Sequence, residues 1–302
     1  MRVSCHANQA CVFMGGRHKG GHDERGMPLD VTVGAVPCEV GGRGHGTHCN
    51  MDTAPDEKRA SIPLFAAWAV HVLTASGAVL AFFAFLAAEE GRFRLALLFL
   101  GAALVVDGID GPLARRAGVV WRVPGIDGAT LDLVVDYLTY VFVPVILIYR
   151  AGVLPAPYGW VFIAAILISS LYTFARTDMK TADNFFLGFP AVWNVIAFYL
   201  LVLQPGAFAA ASLIGLFVCL TFAPVHFVHP LRVRRYQPWL AGLTVVWGAS
   251  SLLLLAGEWS PIWTRVLLAF SLTGAGVLLA IGVHRTLTGN PPLEGGSKSP
   301  QP

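Results

Sequence analysis

Apolar runs separated by short polar turns fill the chain from Ile62 to Val283. The run Ile62 to Ala88 is long enough to cross about 30 Å of hydrocarbon at about 1.5 Å per residue, which makes it the first predicted span. Glu89, Glu90, Arg92 and Arg94 form a polar turn, so the next segment must return. Leu95 to Val106 is short for a crossing. Its helix is expected to continue, leaving Asp107 and Asp110 just below the membrane surface, with Pro112 as a point of bending because it lacks an N–H. Arg116 to Asp127, containing Pro124 and Gly125, reads as a polar loop. Further spans are predicted over Thr130 to Tyr149, Tyr158 to Ala175, Phe185 to Leu203, Ala207 to Ala223, Trp239 to Ala256 and Trp263 to Val283. A charged loop from Arg176 to Asn184 and a basic loop from Pro224 to Pro238 separate some of them. The expected fold is all-α, a polytopic helical membrane protein of about eight transmembrane helices.

Composition agrees, with 55% hydrophobic and 13% charged residues against about 25% charged in soluble domains. An ordinary water-soluble enzyme is excluded, and no basic footprint for nucleic acid is present. Cationic residues also orient the spans. Lys58, Arg59, Arg115, Arg116, Arg122, Arg176, Lys180, Arg232, Arg234, Arg235 and Arg285 fall on the side of the aspartates, against Arg92, Arg94, Arg150 and Arg265 on the other. The positive-inside rule then puts the aspartates at the cytoplasmic face.

The membrane-embedded domain is expected over residues 59–286, after an extension of residues 1–58 and before a Gly-, Pro- and Ser-rich tail, 287–302, expected to be disordered. The extension holds Cys5, Cys11, Cys38 and Cys49 with His6, His18, His22, His45 and His48, a set that invites zinc, but no C-x-x-C pair. It also lacks the apolar core of a secretory signal. A disordered tail is expected there, or upstream sequence read from a misassigned start with Met51 as the initiator. Within the first span, His71 is expected to be an interior histidine hydrogen-bonded to a neighbouring helix.

Charge at membrane depth is expensive, about 2.5–3.5 kcal/mol per carboxylate on insertion scales. Here four carboxylates come as two pairs, Asp107/Asp110 and Asp132/Asp136. Steps of three and four residues advance a helix by about 300° and 400°, so each pair shares one face. Like charges held together call for a cation, and carboxylate oxygens are hard ligands that favour Mg²⁺ or Mn²⁺. Four can hold two such ions, an arrangement suited to displacement at phosphorus. Capping of a helix N-terminus is the plain alternative, and it accounts for Asp132 at most. Gly111 lies four residues after Asp107, Ala114 four after Asp110 and Gly128 four before Asp132, leaving room for a large ligand beside the positive charge of Arg115.

Written out, D-x-x-D-G-x-x-A-R, twelve residues, then G-x-x-x-D-x-x-x-D resembles the signature of the CDP-alcohol phosphotransferase family of membrane lipid synthases. The resemblance covers roughly Pro63 to Arg285. The spacer is longer than the family's usual one. Together with DYLTYVFVPV, RTDMKTADNFFLGFPAVWN and PVHFVHPLRVRRYQPW, it resembles the bacterial branch that joins CDP-diacylglycerol directly to choline. This resemblance implies a six-helix catalytic core in the inner (cytoplasmic) membrane, with the site facing the cytoplasm. It implies that Asp107, Asp110, Asp132 and Asp136 bind two Mn²⁺ or Mg²⁺ ions, that Asp136 also serves as general base, and that Gly111, Ala114, Arg115 and Gly128 line the cytidine and phosphate pocket. CDP-diacylglycerol and choline are the implied substrates, with membrane lipids and a second copy of the chain as expected partners.

Choline needs aromatic faces and a nearby negative charge. Tyr137, Tyr140, Tyr172, Phe185, Phe186 and Trp193 lie in the same cytoplasmic half, and the sequence singles out none of them. His226 and His229, with Arg232, Arg234 and Arg235, read as an anchor for anionic headgroups. Competing acceptors are serine, inositol phosphate and glycerol phosphate, for which Arg176, Lys180 or the Arg232 cluster would supply charge. An ion-coupled transporter is the alternative from another class, but its charges belong near the midplane of repeated halves, whereas these stand at one edge.

Overall fold

The structure is a computed structural model that describes residues 11–12, 35–36, 64–119, 123–181, 183–230, 233 and 238–289. The expectations for most of the N-terminal extension, for the tail beyond Gly289, and for Arg122, Arg232, Arg234 and Arg235 lie outside the described residues. The chain divides into residues 1–61 and 62–302. In the first unit, β1 (Cys11–Val12) pairs antiparallel with β2 (Ala35–Val36).

The described part of the second unit is helical. Its helices are α1 (Leu64–Glu89), α2 (Phe93–Ala117), α3 (Gly128–Arg150), α4 (Gly159–Ala175), α5 (Trp193–Leu203), α6 (Ala207–Phe222), α7 (Trp239–Ala256) and α8 (Pro261–Thr288). Of these, α1, α3, α7 and α8 are long and apolar enough to cross a bilayer, and α4, α5 and α6 are shorter apolar helices. This is a polytopic helical membrane protein. Phe65, Trp160, Ile168 and Phe208 point outward, as expected where lipid rather than water surrounds the bundle.

With apolar residues on every side, helix contacts depend on close fit rather than on an amphipathic face. Ala81, Ala84, Ala87 and Ala88 of α1 meet Ala96, Leu97 and Leu100 of α2, all buried in the main core. The turn between them closes through Gly91, whose φ of 72° lies in the left-handed region that favours glycine. Trp193 of α5 is fully buried and donates its Nε1–H to Ser170 of α4 at 2.8 Å.

Helix α2 continues past the aspartates as expected, through Pro112 to Ala117, where Gly118 caps it with φ 61°. Two expectations are corrected. The loop that follows is not wholly polar. Val119 and Val123 are buried against Ala67, Val70 and Ala117. The fifth span is helical only over Trp193–Leu203, 11 residues, because its predicted first part is strand β3 (Phe185–Leu187). Gly188 at φ 82° and Ala191 at φ 56° separate strand from helix, and Pro190 biases Phe189 toward extended backbone.

Strand β3 pairs antiparallel with β4 (His226–Val228) in the register Phe185↔Val228, Phe186↔Phe227, Leu187↔His226. Helix α8 fastens this ribbon. A Cβ on Gly282 would collide with the His226 carbonyl, so the bare glycine lets α8 lie against β4. The His226 N–H donates to Thr286 Oγ1 at 2.8 Å, and Arg285 donates to Asp183 at 2.8 Å while covering the Phe185 ring. Burial pushes the Asp183 carboxyl up, but hydrogen bonds from Arg285 and Thr181 outweigh it and hold the group below its ordinary value.

Candidate active site

Helix α3 begins where Asp127 accepts hydrogen bonds from Ala129 N at 3.0 Å and Thr130 Oγ1 at 2.6 Å. The Thr130 hydroxyl first, then the backbone donors, hold the Asp127 carboxyl below its usual range. The N-cap is therefore Asp127, and Asp132 is left in the second turn, where capping does not explain it. Helix α2 runs the opposite way in its hairpin with α1, so its last turns bring Asp107 and Asp110 to the level of Asp132 and Asp136.

Carboxylate oxygens of Asp107, Asp132 and Asp136 all lie within 4.8 Å of one another. Asp110 stands aside from that trio. It is 5% exposed and accepts a hydrogen bond from Thr74 Oγ1 of α1 at 2.7 Å. Asp107 accepts one from the Tyr140 hydroxyl of α3 at 2.6 Å. All four aspartates still line a single recess of about 10 Å³, floored by Thr74, Gly77 and Thr139. No hydrogen bond among the described residues reaches the Asp136 carboxylate. Tyr140 finds Asp107 from a stretch of π-helix, Tyr137–Phe142, that follows directly on Asp136; such wide turns inside α-helices concentrate at functional sites.

The donor set fits a divalent cation. Three hard oxygen ligands converge, and hydroxyls from α1 and α3 orient Asp110 and Asp107. A cation also approaches from the ribbon. Phe174 at the end of α4 packs edge-on against Tyr137, the residue after Asp136. Lys180 bridges to Phe186, holds Nζ 5.5 Å from that ring's centroid, and acts electrostatically on Asp136.

The remaining motif residues sit toward the open end. Gly111 and Ala114 are half-buried on α2, and Arg115 is exposed on its last turn with no ion pair among the described residues. Gly128 gives way to a ring from α1, since a Cβ there would be 3.2 Å from His71 Cε1. His71 is buried, but the expected hydrogen bond is missing: its Nε2 has no partner among the described residues. Of the aromatic candidates, Tyr172 lies under Arg176, Phe185 under Arg285, Phe186 against His229 and Lys180, and Trp193 in the core. Tyr140 reaches Asp107 of the acidic recess, and Tyr137, next to Asp136 in sequence, packs against Phe174.

Sequence reasoning missed Thr74 and the bond from Tyr140 to Asp107. A signal existed for the first: His71, Thr74 and Gly77 recur every three residues, a polar and small stripe in an otherwise apolar run.

A bundle of apolar helices with an acidic recess, three of whose carboxylates could hold a metal ion, fits a membrane enzyme. The family model for CDP-alcohol phosphatidyltransferase matches residues 67–223, and this chain belongs to that family of transferases. The match takes in most of α1 and all of α2 to α6, while α7 and α8 lie beyond it. Among individual relatives, the chain is 45% identical over 192 residues to the phosphatidylcholine synthase of Pseudomonas aeruginosa, covering 64% of this chain and 81% of the relative. It is 45% identical over 202 residues to that of Rhizobium meliloti, covering 66% and 83%. With that of Legionella pneumophila the identity is 36% over 231 residues, covering 74% and 89%.

Proposed function

We propose that this chain is a phosphatidylcholine synthase that condenses CDP-diacylglycerol with choline, giving phosphatidylcholine and CMP. The observation that carries the proposal is the meeting of Asp107, Asp132 and Asp136 within 4.8 Å, in a chain 45% identical to relatives that bear that name. Asp107, Asp110, Asp132 and Asp136 would hold two Mn²⁺ or Mg²⁺ ions. When bound, these neutralise the diphosphate and steady the oxygens at phosphorus.

Asp136 is the base. Its carboxylate accepts no hydrogen bond among the described residues, so its lone pairs are open to the choline hydroxyl. The proton passes to Asp136, and the choline oxygen bonds to the phosphorus that carries diacylglycerol. The bond from that phosphorus to the bridging oxygen breaks, and CMP leaves with the electron pair. Tyr137 and Tyr140 offer ring faces for the trimethylammonium next to the acidic charge. Gly111, Ala114, Arg115 and Gly128 border the space left for the nucleotide, with Arg115 free to meet phosphate. The bias of Lys and Arg toward the carboxylate side supports a cytoplasmic site in a bacterial inner membrane.

The test is to supply membranes containing the protein with CDP-diacylglycerol, Mn²⁺ and one labelled alcohol at a time. Choline-dependent CMP release with a labelled lipid product is expected. Labelled product from serine, inositol phosphate or glycerol phosphate, and none from choline, overturns the choice of acceptor.

A further inference from the structure

Among the described residues, His71 Nε2 is the one buried side-chain nitrogen or oxygen with no hydrogen-bond partner. The residue is 6% exposed, so bulk solvent does not reach it. Buried polar atoms are nearly always paired in folded proteins, and an orphan asks for an explanation. A bound ligand is one, because a site built to hydrogen-bond its ligand is incomplete without it.

The surroundings identify the ligand. Helices α1 and α3 run side by side in the same direction, with Gly77 against Val135 and His71 against Gly128. Along α3 the carboxylates Asp132 and Asp136 follow Gly128 by four and eight residues, about 6 and 12 Å at the helical rise. Thr74, one turn beyond His71, already holds Asp110. His71 therefore stands just outside the acidic recess, on the side where α1 and α3 begin. A diphosphate seated on the carboxylates sends its diacylglycerol into the lipid and its nucleoside the other way, toward the ends of those helices. Gly128 permits the arrangement, since the His71 ring occupies the room that a side chain there would take.

We infer that His71 contacts the nucleotide, its Nε2 forming a hydrogen bond with the cytidine part of the lipid donor and of the CMP product. This rests on the proposed reading of the acidic recess as the seat of the diphosphate. It adds a specificity element supplied by α1, outside the aspartate motif.

The experiment uses full-length protein in detergent micelles and reads CMP affinity from thermal stabilisation in the presence of Mn²⁺, which needs no acceptor. His71→Phe keeps a ring against Gly128 and removes the nitrogen; His71→Gln keeps a hydrogen-bonding group. CMP affinity should fall about tenfold in the Phe variant, the loss of one hydrogen bond, and by less in the Gln variant. The KM for CDP-diacylglycerol should rise in parallel while the KM for choline stays put. Unchanged CMP affinity in His71→Phe overturns the inference, as does an equal rise in both KM values. If the Phe variant is not recovered folded, His71→Gln and His71→Ala carry the test: affinity kept in Gln and lost in Ala supports the contact, and equal affinity in the two removes it. A wild type that binds CMP but makes no lipid from choline would sink the acceptor assignment and leave the His71 result readable.

Discussion

Thr74→Val removes one hydroxyl from the acidic recess and little else. Val matches Thr in shape and differs little from it in helix propensity. The second hydrogen bond of Thr74, to the Val70 carbonyl at 3.3 Å, is a weak one within its own helix. The bond lost is the one at 2.7 Å to Asp110. Both residues are buried, Thr74 at 8% and Asp110 at 5% exposure, so water cannot replace the donor. A hydrogen bond to a charged group is worth about 1.5–3 kcal/mol, a factor of about 10 to 150 at 1.4 kcal/mol per tenfold. Part of the loss should appear as stability and part as Mn²⁺ affinity, because an unanchored Asp110 no longer presents its second oxygen in a fixed place. The assay is a Mn²⁺ titration of choline-dependent CMP release, paired with thermal melts in detergent. Half-saturation by Mn²⁺ should rise severalfold or more, turnover at saturating Mn²⁺ should recover in large part, and Thr74→Ser should behave as wild type. Identical Mn²⁺ dependence in Thr74→Val and wild type would refute the idea that the α1 hydroxyl orients Asp110.

Three further outcomes are expected. Tyr140→Phe, which deletes the donor to Asp107, should raise the Mn²⁺ requirement by about 10- to 100-fold, read in the same titration. Asp136→Asn should abolish choline-dependent CMP release while thermal stabilisation by CMP with Mn²⁺ persists; turnover surviving at wild-type rate would remove Asp136 as the base. The α8 latch should be acid-labile. Because the Asp183 carboxyl is held below its ordinary value in the folded protein, its contribution is complete above the unfolded carboxylate range, near pH 4, and is lost as pH falls through the lower folded value. Melts should show Arg285→Ala destabilised by about 3 kcal/mol at neutral pH, the lower end for a broken buried pair because the Asp183 side chain is one-third exposed. The gap between Asp183→Asn and wild type should shrink below about pH 4.

The amino-acid order alone determined that the chain is a helical membrane protein, and nearly where its helices lie. Runs of apolar residues partition into lipid by composition, and that property is local. It also determined which carboxylates share a helix face, since the period of a helix follows from covalent geometry. Those two properties account for seven of the eight predicted segments and for the choice of the four aspartates. Composition could not separate helix from strand at Phe185–Leu187, because what decides that stretch is a partner some forty residues later, His226–Val228, and the backbone turns at Gly188 and Ala191. Nor could it show that Thr74 and Tyr140 reach across from two other helices to Asp110 and Asp107, that α8 pins the ribbon carrying Lys180, or that His71 is buried with its Nε2 unpaired. Each of these is a contact between residues far apart in the chain, and only the packing of one helix against another brings such atoms together.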